Sequence, residues 1–254
     1  VLARDLFAQR DTVVCTSATL ATAREGGFEY FRRALGMPDA VVERRVDSPF
    51  NYREQATLVL CPKIPDPRDN EAFLPPASAK IVRHVRDTEG RAFVLFTSYA
   101  LMKAMRDRVG PQLAEWDIRI LFQGEGTSRT RMLQEFKAAE GANLAIFGVA
   151  SFWQGVDVPG AALSTVVLTK LPFPVPSHPL VEAKTERIRD AGGRPFEEYF
   201  LPEAILRLKQ GFGRLIRRKD DRGTVVVLDS RVVTKGYGRR FLSALPPCKI
   251  VYED

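Results

Sequence analysis

Short apolar runs recur along this sequence and alternate with longer stretches whose apolar residues fall on one side of a helix. Seven runs predict strands, at Thr57–Cys61, Ala92–Phe96, Ile118–Phe122, Leu144–Val149, Ser164–Leu171, Thr224–Leu228 and Lys249–Tyr252. A continuous apolar run such as Ala92–Phe96 is typical of a strand buried on both faces of a parallel sheet. Strands that alternate with helices predict right-handed βαβ crossovers, so we expect an α/β fold with a mainly parallel sheet and helices on both faces.

A further apolar run near the start of the chain, Thr12–Thr16, predicts a short buried strand. We expect residues 1–20 to be the end of a preceding lobe and residues 21–254 to form the main α/β domain. A Pro-rich loop at residues 62–76 is expected to precede a helix near residues 78–88.

The composition allows a sizeable core and favours an anionic partner. Of the 254 residues, 45% are hydrophobic, and the net charge is +7. Arg outnumbers Lys roughly three to one, which suits bidentate phosphate contacts, and the intermixed acidic residues favour a localised basic face over a basic tail. Cys15, Cys61 and Cys248 lack the spacing of a metal site or a disulfide framework, so we expect no metal and a reducing, cytoplasmic compartment. No apolar run reaches membrane-spanning length, so no membrane partner is expected.

The segment from Gln210 to Arg217 combines helical periodicity with residues that suit a phosphate-bearing ligand. Its apolar residues recur at helical spacing, which predicts a helix through the whole segment. Gln210, Arg214 and Arg217 stand at i, i+4 and i+7, so such a helix would place them together on its polar side. Gly211 and Gly213 each cost about 1 kcal/mol in a helix interior, which favours close approach by a ligand. An amphipathic helix with solvated arginines is the alternative.

Small hydroxyl residues follow two of the predicted strands. Thr97 and Ser98 stand at a strand end and a helix N-terminus, where an anion such as a nucleic-acid phosphate is favoured. A plain N-cap is the alternative. Ser17 and Thr19 follow Thr12–Thr16 in the same way, and for them an ordinary strand-to-helix turn is the favoured interpretation when the segment is considered alone.

The loop at residues 151–160 contains two glycines, a proline and several groups suited to a nucleotide. Asp157 offers an acceptor that could bind a ribose hydroxyl. Phe152 and Trp153 suit stacking on a base, although such aromatic residues are more often part of the core.

Taken together and in this order, these segments resemble the motifs of superfamily 2 helicases, in the DinG branch of the XPD/Rad3-like proteins. The specific part is Gln210–Arg217, which fits the motif VI pattern Gln-x-x-Gly-Arg-x-x-Arg, and Phe152–Gly160, which is similar to motif V. The other matching segments are Thr16–Leu20, similar to motif III, Phe96–Ser98, similar to motif IV, and Gln123-Gly124, similar to the segment after motif IV. Many relatives carry Glu at the position of Gln154. The glutamine keeps an oxygen acceptor there but lacks the negative charge of a glutamate.

The resemblance implies an ATP-dependent DNA helicase in which two RecA-like lobes, of the P-loop NTPase type, clamp ATP between them. It implies that Arg217 is an arginine finger, that Arg214 makes a second phosphate or coupling contact, and that Gln210 contacts water or nucleotide. The remaining residues that it implies are Gln154, Gly155 and Asp157 for ATP, Thr97, Ser98 and Gln123 for single-stranded DNA, and Ser17 and Thr19 for coupling.

No Gly-x-x-x-x-Gly-Lys-Ser/Thr loop and no Asp-Glu-x-His motif occur in this sequence. We therefore expect the chain to be the C-terminal lobe, with ATP and Mg²⁺ bound mainly by a first lobe on another segment, and to hydrolyse ATP poorly or not at all alone. An iron–sulfur cluster or an exonuclease domain, as in some relatives, would belong to that other segment. The expected partners are single-stranded DNA and the first lobe, in the cytoplasm and associated with the nucleoid.

Two other functions stay open at this point. One is a non-catalytic nucleic-acid-binding module that keeps the RecA-like scaffold, which the two arginines disfavour. The other is an RNA-directed helicase, because backbone contacts barely distinguish RNA from DNA. A 5′-to-3′ polarity and a role in DNA repair or replication come from the resemblance alone.

Overall fold

A computed structural model describes residues 2–23, 26–38, 40–149, 152, 158 and 162–254. The chain divides into two compact units. The first, here called the sheet unit, comprises Pro49–Leu171, Gln210–Arg239 and Pro247–Asp254. The second, the helical unit, comprises Val1–Ser48, Pro172–Lys209 and Arg240–Pro246. The boundary expected at residue 20 stays a prediction.

The sheet unit is built on one parallel sheet. Its strands are β1 (Ala56–Leu60), β2 (Ala92–Leu95), β3 (Arg119–Phe122), β4 (Leu144–Gly148), β5 (Thr165–Leu168), β6 (Gly223–Val227) and β7 (Lys249–Tyr252). They lie in the order β3-β4-β2-β5-β6-β1-β7, and every neighbouring pair is parallel. The seven strands expected between residues 57 and 252 are confirmed, with ends that shift by up to three residues, and so is the parallel α/β fold.

The helices of the described chain are α1 (Glu29–Leu35), α2 (Tyr52–Gln55), α3 (Asn70–Arg86), α4 (Tyr99–Ala114), α5 (Arg129–Ala138), α6 (Pro179–Asp190), α7 (Leu201–Phe212), α8 (Arg231–Thr234) and α9 (Gly238–Ala244), with π-helical turns at Ala3–Phe7 and Phe196–Phe200. Side-chain caps begin three of the crossover helices, since Asp69, Ser98 and Ser128 each accept a hydrogen bond from a backbone N–H three residues on. Among the described helices, none is both long and apolar enough to cross a membrane.

Both faces of the sheet are covered because alternate strand residues point to opposite sides. Phe93 of β2 contacts Phe136 of α5, with ring centroids 5.2 Å apart. The next residue, Val94, belongs with Phe147 to a core cluster that includes residues of α3 and α4. The members from these two helices are Phe73, Ala77, Ile81, Val85, Leu101, Met102, Met105, Val109 and Leu113. The continuous apolar runs of the sequence thus correspond to strands buried on two sides.

Helix α3 begins earlier than expected. The sequence placed a loop up to residue 76, but the helix starts at Asn70 and contains Pro75 and Pro76. The fixed φ of proline is helical, but Pro75 and Pro76 lie in the second turn and have no N–H, so the helix lacks two backbone hydrogen bonds there. Asp69 stabilises this start, since its carboxylate accepts from the backbone N–H of Ala72 at 3.1 Å.

The expected buried strand at Thr12–Thr16 is wrong for this chain. The segment is extended but lies outside the sheet, and its residues are exposed, with Val14 at 83%. β-branched residues favour a strand only where a neighbouring strand supplies hydrogen-bond partners and a packing surface.

The helical unit is held by polar contacts and aromatic packing of its own. The Tyr30 hydroxyl donates to Glu203 of α7 at 2.8 Å. Phe173 lies between two other rings, 5.9 Å from Phe196 and 5.8 Å from Phe241.

A half-buried polar cluster joins the residue after β7 to α3 in the sheet unit. Glu253 accepts from Lys80 at 2.8 Å and from His84 at 2.9 Å, and Arg83 lies 3.2 Å away. Burial alone would raise the pKa of Glu253, but the hydrogen bond from Lys80 and the nearby cations lower it below its usual value. Burial also lowers the pKa of His84, against the opposing effect of Glu253. His84 is therefore neutral at pH 7 and donates its Nε2 proton to the carboxylate.

We predict that acidification destabilises the protein partly through His84. Because its pKa is lower in the folded than in the unfolded chain, the unfolded chain binds the proton more readily. The free energy of unfolding therefore falls as the pH drops below about 6.5, the pKa of an unperturbed histidine. His84→Gln keeps a donor for Glu253 but cannot titrate, so its stability should depend less on pH in this range. Urea unfolding between pH 5 and 7.5 measures the effect.

The matched control is His178→Gln, at the exposed position before α6 and the other histidine of the sequence. It should leave the pH dependence of urea unfolding unchanged. Equal effects of the two substitutions, or none from His84→Gln, would contradict the prediction.

Candidate nucleic-acid edge and arginine loop

Three loops meet at one edge of the sheet. Strands β3, β4 and β2 are adjacent and parallel, so the residues that follow them lie side by side. We call this the carboxyl edge and define it by Thr97, Ser98, Tyr99, Gln123 and Val149. The sequence prediction that Thr97 and Ser98 stand between a strand end and a helix N-terminus is confirmed.

Ser98 is the N-cap of α4. Its hydroxyl accepts a hydrogen bond from the backbone N–H of Leu101 at 3.3 Å, so the plain-cap alternative describes this contact. The side chain is nevertheless exposed, and Thr97 beside it is half-buried. The positive end of the α4 dipole also lies here, which favours an anion at this edge.

Gln123 links the three loops of the carboxyl edge. Its Oε1 accepts from the backbone N–H of Val149 at 2.8 Å, and its Nε2 donates to the hydroxyl of Tyr99 at 3.0 Å. The side-chain amide thus holds the loops together, and its predicted contact with DNA stays a prediction.

Tyr99 is a candidate binding residue that the sequence reasoning missed. It is the first residue of α4 and is 53% exposed. One side of its ring lies near Gly124, where φ is +103° and a Cβ would lie 3.4 Å from the ring. A fixed and exposed aromatic ring beside two hydroxyl groups suits stacking on a base. Its position directly after Thr97 and Ser98 was the signal that could have identified it.

Phe152 is a core residue, which agrees with the favoured interpretation of the sequence and rules out the stacking alternative for this residue. Its side chain is fully buried and meets Phe93 edge to face, with ring centroids 6.3 Å apart. The ring lies directly against Gly148, where a Cβ would come within 2.4 Å of it. The missing Cβ at the end of β4 is what admits the phenylalanine ring to the core.

Trp153, Gln154, Gly155 and Asp157 lie outside the described residues. Their roles in stacking and in binding ATP stay predictions.

The segment Gln210–Arg217 is not one helix. Helix α7 ends at Phe212, with Gln210 half-buried in its last turn, and the chain continues as turns. Arg214 and Leu215 donate their backbone N–H groups to residues three positions back, at 3.2 and 3.3 Å. The two glycines explain the early end, because glycine weakens a helix interior and favours its C-terminus. The expectation that Gln210, Arg214 and Arg217 share one helical face is therefore wrong.

Apolar anchors hold the loop that carries the two arginines. We call residues 213–222 the arginine loop. Leu215 and Ile216 are 1% and 2% exposed, while Arg214 and Arg217 on either side of them are half-buried. Leu215 packs over Gly223, where a Cβ would come within 2.5 Å of its side chain.

The arginine loop does not lie at the carboxyl ends of the strands, where the sequence reasoning placed the ligand chemistry. It leads into the first residue of β6, and in a parallel sheet this is the opposite end from the residues that follow β2, β3 and β4. The carboxyl edge and the arginine loop are thus attached to opposite ends of the same sheet.

Ser17 and Thr19 form a local turn in the helical unit. The Ser17 hydroxyl accepts from the backbone N–H of Thr19 at 3.3 Å, as the ordinary-turn interpretation expects. Their role in coupling stays a prediction.

A buried ion pair at the ends of β5 and β6 was not predicted. Asp229 is fully buried and accepts from the Arg231 side chain at 2.6 Å and from the backbone N–H of Leu171 at 2.7 Å. Burial, with Arg231 nearby, lowers the pKa of Lys170. Removing one partner of such a pair typically costs about 3–5 kcal/mol, so we assign the pair a structural role.

Across the part of the chain that the structure describes, no group of three or more His, Cys, Asp or Glu residues could hold a metal ion.

Comparison with known proteins places these features in a family. Residues 81–248 match the helicase C-terminal domain. The 3′-5′ exonuclease DinG of Bacillus subtilis is 37% identical over 254 residues, which are 98% of this chain and 27% of that protein. The ATP-dependent DNA helicase YoaA of Escherichia coli is 39% identical over 246 residues, which are 96% of this chain and 37% of that protein.

A solved structure of apo XPD has the same fold. It aligns with a TM-score of 0.63 at 19% identity and covers 89% of this chain and 46% of that chain. The chain therefore spans less than half the length of each of these three proteins.

The matched residues 81–248 include both the carboxyl edge and the arginine loop. The chain belongs to the helicase C-terminal domain family; in sequence it is similar to DinG and YoaA proteins, and in fold to XPD.

Proposed function

We propose that this chain is the C-terminal RecA-like lobe of an ATP-dependent DNA helicase, and that it supplies an arginine finger and contacts to single-stranded DNA. The observation that carries the proposal is the arginine loop. It has the motif VI sequence, it lies within the family match, and two buried side chains fix the backbone between its arginines. The name of the relative from Escherichia coli, an ATP-dependent DNA helicase, supports the same activity.

The proposed role of the arginines follows from the chemistry of phosphoryl transfer. Negative charge spreads over the oxygens of the transferred γ-phosphoryl group, and a fixed guanidinium stabilises this charge more in the transition state than in the ground state. Arg217 would be the finger, Arg214 would contact a second phosphate, and Gln210 would orient water. ATP and Mg²⁺ would be held mainly by a first RecA-like lobe, with Gln154, Gly155 and Asp157 of this chain at the nucleotide.

The carboxyl edge is the proposed site for single-stranded DNA. The hydroxyl groups of Thr97 and Ser98 and the N-terminal end of α4 suit backbone phosphates, and the ring of Tyr99 suits a base. Such contacts read the strand without regard to sequence, and the phosphate contacts weaken as salt rises. Under this proposal Gln123 acts partly through Tyr99, whose hydroxyl it contacts.

We predict that Arg217→Ala abolishes ATP turnover in a protein that joins this chain to its first lobe. Loss of an arginine finger should lower the DNA-stimulated kcat by about 10³-fold or more, because the charge of the transition state loses its partner. Binding of single-stranded DNA should persist. Steady-state ATPase assays and fluorescence anisotropy with a labelled oligonucleotide measure the two effects.

Arg218→Ala is the matched control, since Arg218 is the exposed neighbour in the same loop. It should keep the ATPase activity near that of the parent protein. Full activity in Arg217→Ala, or a parent ATPase that neither DNA nor RNA stimulates, would contradict the helicase proposal. Stimulation and strand displacement with RNA but not with DNA would instead favour an RNA-directed enzyme.

We predict that Thr97→Ala weakens binding of single-stranded DNA by about 1 kcal/mol, the typical net value of one hydrogen bond. Thr88→Ala is the control, because Thr88 lies at the amino end of β2 and its hydroxyl bonds backbone carbonyls there. Anisotropy titrations at several salt concentrations measure the affinity. Equal losses in the two variants would show a general structural effect and would argue against a phosphate contact at Thr97.

We predict that Tyr99→Ala weakens binding of single-stranded DNA by about 1–3 kcal/mol, the usual value of one base stacked on an aromatic ring. Tyr99→Phe keeps the ring and should retain most of the affinity. Trp116→Ala removes an equally exposed aromatic residue from the other end of α4 and should have no effect. The same titrations on an oligonucleotide without bases should abolish the difference between Tyr99→Ala and the parent. If that difference persists, stacking is not the role of Tyr99.

A further inference from the structure

The carboxylate of Asp221 closes the arginine loop onto its own backbone. Its Oδ2 accepts hydrogen bonds from the backbone N–H groups of Arg217 and Arg218, both at 2.8 Å. Asp221 is only 6% exposed, so these bonds are shielded from competition with water. Hydrogen bonds to an ionised carboxylate are stronger than those between neutral groups. The two bonds to Asp221 therefore fix the backbone of Arg217, from which its side chain extends.

The side chain of Gln55 binds the carbonyl groups of the same backbone segment. Its Nε2 donates to the carbonyl oxygens of Arg218, Lys219 and Asp221 at 2.9, 3.2 and 2.9 Å. A carbonyl oxygen only accepts, so the chemistry requires the amide nitrogen to face the loop. Gln55 is 4% exposed and is the last residue of α2, directly before β1. This amide joins the loop to the segment that leads into β1.

These contacts pair backbone groups of the loop that no helix or strand pairs. Residues 213–222 are neither helix nor strand, so their N–H and C=O groups have no regular ladder. Asp221 accepts from two of the N–H groups, and Gln55 donates to three of the C=O groups. The buried carboxylate of Asp221 thus binds N–H groups of this short segment, and the buried amide of Gln55 binds its C=O groups. Together these contacts define a single path for the backbone.

We propose that Asp221 and Gln55 are positioning residues for Arg217, which hold its backbone in the one conformation that brings the guanidinium to the transferred phosphoryl group. The proposal rests on the proposed function of Arg217 as the arginine finger. Neither Asp221 nor Gln55 touches the nucleotide. They act through the backbone of the loop.

Catalysis depends steeply on such positioning. A displacement of about 1 Å at a reacting group can cost about 10²-fold in rate. Without Asp221 or Gln55, part-buried N–H or C=O groups lose these hydrogen bonds, and the loop is free to move toward other partners. The arginine would still be present, but its backbone would no longer be fixed at the finger position.

The test uses the protein that joins this chain to its first lobe. Asp221→Ala should lower the DNA-stimulated kcat by about 10²-fold, while the KM for ATP and the affinity for single-stranded DNA stay near the parent values. Asp221→Asn keeps an oxygen acceptor for the two N–H groups and should recover most of the activity. Asp220→Ala, at the exposed neighbouring residue, is the control and should behave as the parent. The midpoint of thermal unfolding is measured for each variant.

Gln55→Ala provides a second route to the same result and replaces Asp221→Ala if that variant is unfolded at the assay temperature. It should also lower kcat without a change in KM. Gln55→Glu places a carboxylate against three carbonyl oxygens and should be at least as damaging.

A double-mutant cycle separates positioning from a general structural effect. If Asp221 acts through Arg217, then Asp221→Ala should cause no further loss of single-turnover rate when Arg217→Ala is already present. Additive losses would overturn the positioning proposal, and so would a normal kcat in both Asp221→Ala and Gln55→Ala. A normal kcat in Arg217→Ala alone would instead refute the proposed function, so the two failures are distinguishable.

Discussion

The parallel pairing of β1 with β6 is the interaction on which the arginine loop depends. Ala56 pairs with Gly223, and this register places the residue before β1 beside the residues before β6. Gln55 thereby reaches Asp221, 166 positions away in the chain. Gly223 also lets the start of β6 lie close to its other neighbour, because a Cβ there would lie 2.4 Å from the carbonyl oxygen of Ser164, the residue before β5. The loop has a defined shape only because the sheet has formed.

Much of the fold could be predicted because it depends on local pattern. Continuous apolar runs marked the strands from β1 to β7, and Ser98 marked the start of α4 as its cap. Such signals depend on the chemistry of neighbouring residues in the chain. The run Thr12–Thr16 shows their limit, because strand propensity without a neighbouring strand leaves an exposed extended segment.

The candidate site was less predictable because its geometry is tertiary. The helical spacing of Gln210, Arg214 and Arg217 suggested a shared face. The helix ends at Phe212, so this spacing does not predict where the two arginines lie. For Phe152 the sequence favoured a core position, but it does not show that Gly148 leaves the room for its ring.

The residues that hold the site were hidden for the same reason. Neither Gln55 nor Asp221 belongs to a recognisable motif, and their role appears only through contacts across the sheet. The sequence identified the residues that carry charge and hydroxyl groups, but not those that fix them in place.

The attachment of the two candidate sites to opposite ends of one sheet has a physical consequence. The strands between them are buried and closely packed, and such interiors deform little. If the arginine loop moves relative to a bound nucleotide, the carboxyl edge is carried along with the sheet. Under the proposed function, a displacement at the nucleotide would reach the DNA contacts through the rigid sheet itself, without a separate chain of contacts between the sites.

The charge of the arginine loop explains why a carboxylate is suited to hold it. Residues 214–222 contain five cations and two carboxylates, so the loop carries a local excess of positive charge. Like charges in so short a segment repel one another and favour an extended chain. A buried carboxylate within the loop opposes this repulsion. Because Asp221 directs Oδ2 to backbone N–H groups, it both lowers the local charge and fixes the backbone path. A neutral acceptor at the same position would fix the path but would leave the repulsion, which is why Asp221→Asn should restore most, but not all, of the activity lost in Asp221→Ala.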